Sequence, residues 1–104
     1  MHNEELRVLD AHGISQAQWA ILFSTNYYSP LSSDVILASA ASDLPPEWNL
    51  SDVAAALQEC FDRDWVQSMP TRDSEGVVLS DEGLRIKESV GEDLLATLGA
   101  LQAA

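Results

Sequence analysis

Leu57-Gln58-Glu59-Cys60-Phe61-Asp62-Arg63-Asp64-Trp65-Val66, and after a polar gap Val78-Leu79-Ser80-Asp81-Glu82-Gly83-Leu84, are the stretches on which the fold turns. Leu50, Val53, Leu57 and Phe61, with Cys60, recur at helical spacing, and the pattern stops at Asp64. Trp65 to Met69 then reads as a short strand, Pro70 to Glu75 as a polar turn of about six residues, and Gly76 to Leu79 as the returning strand. Ser80 caps a last helix, and Asp81 and Glu82 sit where carboxylates favour its positive end. A helix that stops abruptly, a hairpin and a freshly capped helix make up this half of the chain.

Upstream of this stretch, Asn49 is a suitable cap for the helix running to Arg63. Asp52 complements its first turn, and Trp48 can staple onto Val53. Pro45-Pro46 ends a preceding helix that starts at Ser32 or Ser33, runs to about Ser42 and buries Ile36, Leu37, Ala40 and Leu44. Earlier still, Ser15 and Gln18 form a capping box, with Ile14 and Trp19 as its hydrophobic staple; Ile21, Leu22, Phe23 and Tyr27 extend the apolar face. Residues 1–13 show no comparable signal and read as a loosely ordered N-terminal segment. Downstream, residues 80–104 read as one helix, with Leu84, Val90, Leu94, Leu98 and Leu101 as its stripe, weakened at Gly91 and Gly99. That stripe suits either the core or a homodimer contact.

The fold class expected is mainly α with a small β-hairpin: three helices, a two-stranded wing and a C-terminal helix in a single domain spanning residues 1–104. The wording from Leu50 to Ile86 resembles bacterial winged helix-turn-helix regulators. In these, a recognition helix closes with leucine, polar residues, glycine, a bulky residue and valine, and the wing is followed by leucine, serine or threonine, acids and glycine. Asp64 stands where the family usually has glycine, a place that often needs a left-handed backbone, which aspartate tolerates better than most residues. The resemblance implies DNA binding through the third helix and the wing.

Charge points elsewhere. Five basic residues against 17 acidic ones give a formal net charge of −12. Such a chain is repelled by phosphate backbones and anionic membranes and attracted to basic partners. The third helix carries Asp52, Glu59 and Asp62 against Arg63 at its end, and the wing sets Asp73 and Glu75 against Arg72. Base readout favours Arg, Lys, Asn or Gln, and only Gln58 qualifies in mid-helix.

Catalysis has no footing in the sequence. His2 and His12 lack partners at metal-ligand spacing, no phosphate loop or nucleophile elbow occurs, and acid pairs such as Asp62 with Asp64 are what so acidic a chain contains by chance. Cys60, the single cysteine, precludes an internal disulfide and reads as a small buried hydrophobe. Trp19, Trp48 and Trp65 fall at core or staple positions. Tyr27 and Tyr28 cannot both face the core, which leaves Tyr28 as an exposed anchor. No apolar run reaches bilayer length, and the acidic start Met1-His2-Asn3-Glu4-Glu5 does not resemble a signal peptide, so a cytoplasmic location is expected.

The leading expectation is therefore a non-catalytic, cofactor-free module for a basic protein partner, such as an immunity-type or nucleic-acid-mimicking inhibitor. Asp52, Glu59, Asp62, Asp73, Glu75 and Tyr28 are its contact residues, and direct DNA binding is not expected. The alternative is a DNA-binding transcriptional regulator working as a dimer or within a complex.

Overall fold

A computed structural model describes residues 3–103; His2 and the side chain of Leu101 lie outside the described residues. The elements run α1 (Asn3–Ala11), α2 (Gln16–Ser24), α3 (Ser33–Ser42), α4 (Leu50–Asp62), β1 (Val66–Pro70), β2 (Glu75–Leu79) and α5 (Asp81–Ala103). Helix α2 packs on α3 and α4, α3 on α4, and α1 lies against α5. This is a winged helix-turn-helix domain. Its core gathers Leu9, Ile21, Leu22, Ile36, Val53, Cys60, Leu79 and Val90, all fully buried, so every helix and the wing contribute to one apolar cluster.

The N-terminal segment departs from the expectation of loose order. It holds α1, whose Leu9 enters the core, and the helix ends through a glycine with φ of +69° at Gly13. Gly13 N–H donates to Asp10 O and Ile14 N–H to Leu9 O, both at 2.9 Å, which is the Schellman arrangement that satisfies terminal carbonyls. The helix carries a signal at both ends, Glu4 and Glu5 in its first turn and Gly13 beyond its last. His12, just past α1, is half-buried and lies 2.6 Å from the Asp93 carboxylate of α5, tying the end of α1 to that helix.

Helix α2 begins as its sequence indicates. Ser15 Oγ accepts from Gln18 N–H at 3.0 Å and Gln18 Oε1 accepts from Ser15 N–H at 3.1 Å. Ser15→Ala should lower stability by about 0.5–2 kcal/mol, because one terminal N–H then loses its acceptor. Chemical denaturation of the variant measures this directly; an unshifted midpoint would contradict it.

Helix α4 uses the same device with other residues. Asn49 Oδ1 accepts from Asp52 N–H at 2.9 Å, and Asp52 Oδ2 accepts from Asn49 N–H at 3.3 Å. At the other end Asp64 takes φ of +58°, with Asp64 N–H donating to Phe61 O and Trp65 N–H to Cys60 O, both at 3.0 Å. Aspartate thus fills the left-handed terminating position that glycine usually takes.

The wing pairs Val66 with Leu79 through to Pro70 with Glu75 in antiparallel register. Its tip is consequently four residues, Thr71–Ser74, shorter than expected, and is closed by Thr71 N–H to Ser74 O at 2.7 Å and Ser74 N–H to Thr71 Oγ1 at 3.1 Å. Leu31 adds a bridge to Val77 on the open side of β2, which anchors the wing to the segment between α2 and α3. Across the junction to α5, Ser80 N–H donates to Trp65 O at 2.9 Å and Ser80 Oγ accepts from Gly83 N–H at 3.0 Å. The stripe of α5 divides: Val90 is core, Leu84 and Leu94 pack against it, Leu98 is half-buried, and Leu95 is 71% exposed.

Candidate functional site

Helix α4 presents two sides. Val53, Ala56, Leu57 and Cys60 are buried, and at about 100° per residue the line opposite them is Ser51, Ala55, Gln58 and Asp62, all exposed. The turn from Asp43 to Asn49 holds α3 against α4 through the half-buried Leu44 and Trp48, which pack on the core cluster. That turn and the Schellman end at Asp64 fix where the outward line begins and stops.

The acidic candidates do not all occupy that line. Asp52 and Glu59, seven residues apart, run along one flank of it, and the Asp52 carboxylate is engaged in the helix cap. Asp62 closes the line and accepts from Gln58 Nε2 at 3.1 Å, an i,i+4 pair that orients the amide. Asp73 and Glu75 are exposed on the wing tip and the first residue of β2. Tyr28 is 87% exposed in the loop after α2 and sits edge-on to Tyr27, with ring centres 4.6 Å apart. Tyr27 is half-buried, and its hydroxyl donates to Asp81 at the start of α5; this bond raises the Tyr27 pKa above its usual range.

The few cations are sorted by the fold. Arg63 turns back from α4: its Nη1 donates to Gly13 O at 2.7 Å, and its guanidinium lies 3.9 Å from the Trp65 ring centre. Lys87 of α5 donates to Phe23 O at 3.3 Å and Thr25 O at 3.1 Å, closing the C-terminus of α2, and burial pulls its pKa down. Arg85 pairs with Glu82 one turn earlier. Arg72, at the wing tip, forms no ion pair or side-chain hydrogen bond among the described residues. Sequence alone placed both Arg63 and Arg72 near the reading face; only Arg72 is free to serve it.

Cys60 is fully buried, and burial, reinforced by Glu59, pushes its thiol up to about 12, so it stays a protonated core group. Among the described residues no group of three His, Cys, Asp or Glu side chains could hold a metal, and no helix is long and apolar enough to cross a membrane. Between α2 and α5 an open groove of about 340 Å³ is lined chiefly by Trp19, Phe23, Tyr27, Leu84 and Lys87.

Shape carries the comparison with known proteins. No protein-family model matches the chain, and no curated protein matches it in sequence. Solved structures do match. A MarR family transcriptional regulator from Silicibacter pomeroyi superposes with a TM-score of 0.71 at 16% identity, over 94% of this chain and 64% of its own. MarR of Staphylococcus aureus, solved with salicylate and kanamycin, gives 0.72 at 18% identity over 95% and 64%. A MarR family protein of Mycobacterium tuberculosis, solved with p-aminosalicylic acid, gives 0.74 at 15% identity over 96% and 73%. The chain spans less than two thirds of the length of the first two.

The Silicibacter pomeroyi neighbour is named as a transcriptional regulator and the other two as MarR or a MarR family protein, and this likeness corrects the expectation that direct DNA binding is unlikely. Net charge is a sum over the whole molecule, and the acids of the third helix and wing add to it. The surface that a winged helix offers to a duplex is narrower: the outward line of α4 and the wing tip. Here that line is Ser51, Ala55, Gln58 and Asp62, with Arg72 beyond it at the wing tip beside Asp73.

Proposed function

We propose that the chain is a non-catalytic DNA-binding transcriptional regulator, cytoplasmic and working as a dimer. The observation that supports this most directly is the exposed line Ser51–Ala55–Gln58 on a helix held rigidly between a reciprocal cap and a Schellman end, beside a wing with a free arginine at its tip. The line lies in the major groove, where the amide, hydroxyl and methyl groups meet base edges; the wing arginine reaches the adjacent phosphates or minor groove.

The dimer reading rests on α5. Its 23 residues make a rod of roughly 35 Å. Beyond Val90 the rod leaves Leu95 exposed and Leu94 and Leu98 half-covered, a surface that a second copy would complete. Pairing also offsets the shortage of cations, since two α4 helices joined in one body read two half-sites about 34–36 Å apart and share the cost of association.

The groove between α2 and α5 supports an effector role as well. Two neighbours were solved with salicylate or p-aminosalicylic acid. An aromatic acid in the present groove would stack on Trp19 and Phe23 near Lys87, and would bear on the joint between α2 and the dimer-forming helix.

Sedimentation together with fluorescence anisotropy on duplex fragments from upstream of its own gene tests the proposal. A dimer that retains one fragment over an unrelated competitor is the expected result. A monomer that retains none would overturn it.

A further inference from the structure

We infer that the DNA this chain selects is A·T-rich at the base pairs facing α4, with Gln58 reading adenine, Ala55 contacting the thymine methyl and Asp62 acting as a positioning residue for Gln58. The inference rests on the DNA-binding reading above and names the sequence class that site prefers.

Three features of the helix lead to it. The commonest specific contact in the major groove is Arg or Lys on guanine, and α4 offers neither on its outward line. Its terminal Arg63 is withdrawn, bonded to Gly13 O and stacked over Trp65. The central polar group is instead a glutamine, whose amide pairs in bidentate fashion with adenine N6 and N7. That amide is held: one Nε2 hydrogen goes to Asp62 Oδ1 at 3.1 Å. With the hydrogen anti to Oε1 on Asp62, the syn hydrogen and Oε1 form the donor and acceptor pair that adenine requires. Next to Gln58 on the same line, Ala55 presents only a methyl group, and Ala54 and the 64%-exposed Leu50 continue the apolar surface toward the helix start. Apolar groups there favour the thymine C5-methyl.

The acids on the flank could favour cytosine through its N4 donor, but the two differ in availability. Asp52 is engaged in the cap, and Glu59 sits to the side of the line that Gln58 occupies. A preference for cytosine opposite Gln58 is therefore the competing outcome.

Selection from a random duplex library with the full chain decides the matter. The expected result is enrichment of adjacent A·T pairs in each half-site. In a selected site, thymine-to-uracil replacement, which removes only the methyl, should weaken binding several-fold. Gln58→Ala should cost about 5- to 150-fold on the adenine-bearing site while leaving other bases little changed, the discrimination carried by a bidentate pair. Asp62→Ala should raise affinity for mixed DNA, since a negative charge is lost, yet narrow the adenine preference. Asp62→Asn should restore that preference because its carbonyl oxygen still accepts from Gln58. If DNA is retained but the selected pairs are G·C, or if Asp62→Ala keeps the full preference, this inference fails while the regulator reading stands. If no duplex is retained, both fail.

Discussion

Gly83→Ala should destabilise the fold by about 3 kcal/mol or more, the largest effect of any single methyl group in this chain. A Cβ at this position would lie 1.8 Å from the carbonyl oxygen of Trp65 and 2.7 Å from its carbon, both backbone atoms that cannot rotate away. The only relief is to push α5 off β1. That movement breaks the Ser80 N–H to Trp65 O bond at 2.9 Å, pulls Ser80 Oγ from Asp64 O, and exposes Trp65, now 5% accessible. For a domain of this size such a loss lowers the melting temperature by roughly 10–25 °C. Gly91→Ala is the control. It lies in the same helix with nothing within 4 Å of its added methyl, so it should stabilise by up to about 1 kcal/mol through helix propensity. Thermal melts of both variants check the pair; equal midpoints would mean that α5 can shift freely on the wing.

How legible was this joint in the sequence? Ser80, Asp81 and Glu82 were readable as a capped helix start, and Asp64 as a left-handed terminator, because both are local backbone demands that particular residues satisfy. That Gly83 must be glycine was not readable, since the atom it would strike belongs to a residue distant in the chain. Helix α1 was missed for a different reason. The residue that ends it in a left-handed turn, Gly13, lies beyond the helix itself. The candidate site shows the same division. Spacing alone placed Gln58 mid-helix and Asp52 in the first turn, but the inward turn of Arg63 depends on Gly13 and Trp65 meeting across the fold, and no local pattern encodes that meeting. Total charge is a poor guide to one face, because it gives equal weight to acids in caps, on flanks and on α5, and the local count on α4 and the wing did not show which of those acids are tied up in caps.

The salt dependence of DNA binding should accordingly be shallow, with log K falling against log salt at a slope of about −2 for a dimer. Each phosphate neutralised contributes about −0.9, and each protomer brings one unpaired cation, Arg72, to the reading face. Arg63, Lys87 and Arg85 are committed to Gly13 and Trp65, to the end of α2, and to Glu82, and Arg7 lies on α1 rather than on α4 or the wing, so none of these four serves the reading face. Between 50 and 200 mM salt the expected loss is roughly 10-fold, against the 10³–10⁵-fold typical of proteins making 6–10 phosphate contacts. Under the proposed regulator reading, affinity then comes mainly from base edges and from joining two reading helices in one dimer, with a correspondingly weak hold on non-specific DNA. Arg72→Ala removes the unpaired arginine from each wing tip of the dimer and should flatten the slope to near zero, without moving the melting temperature, because the side chain is exposed there. Anisotropy titrations of wild type and variant at several salt concentrations measure both slopes. A wild-type slope steeper than about −5 would show that other cations reach phosphate. An unchanged slope in Arg72→Ala would show that the wing stays clear of the duplex.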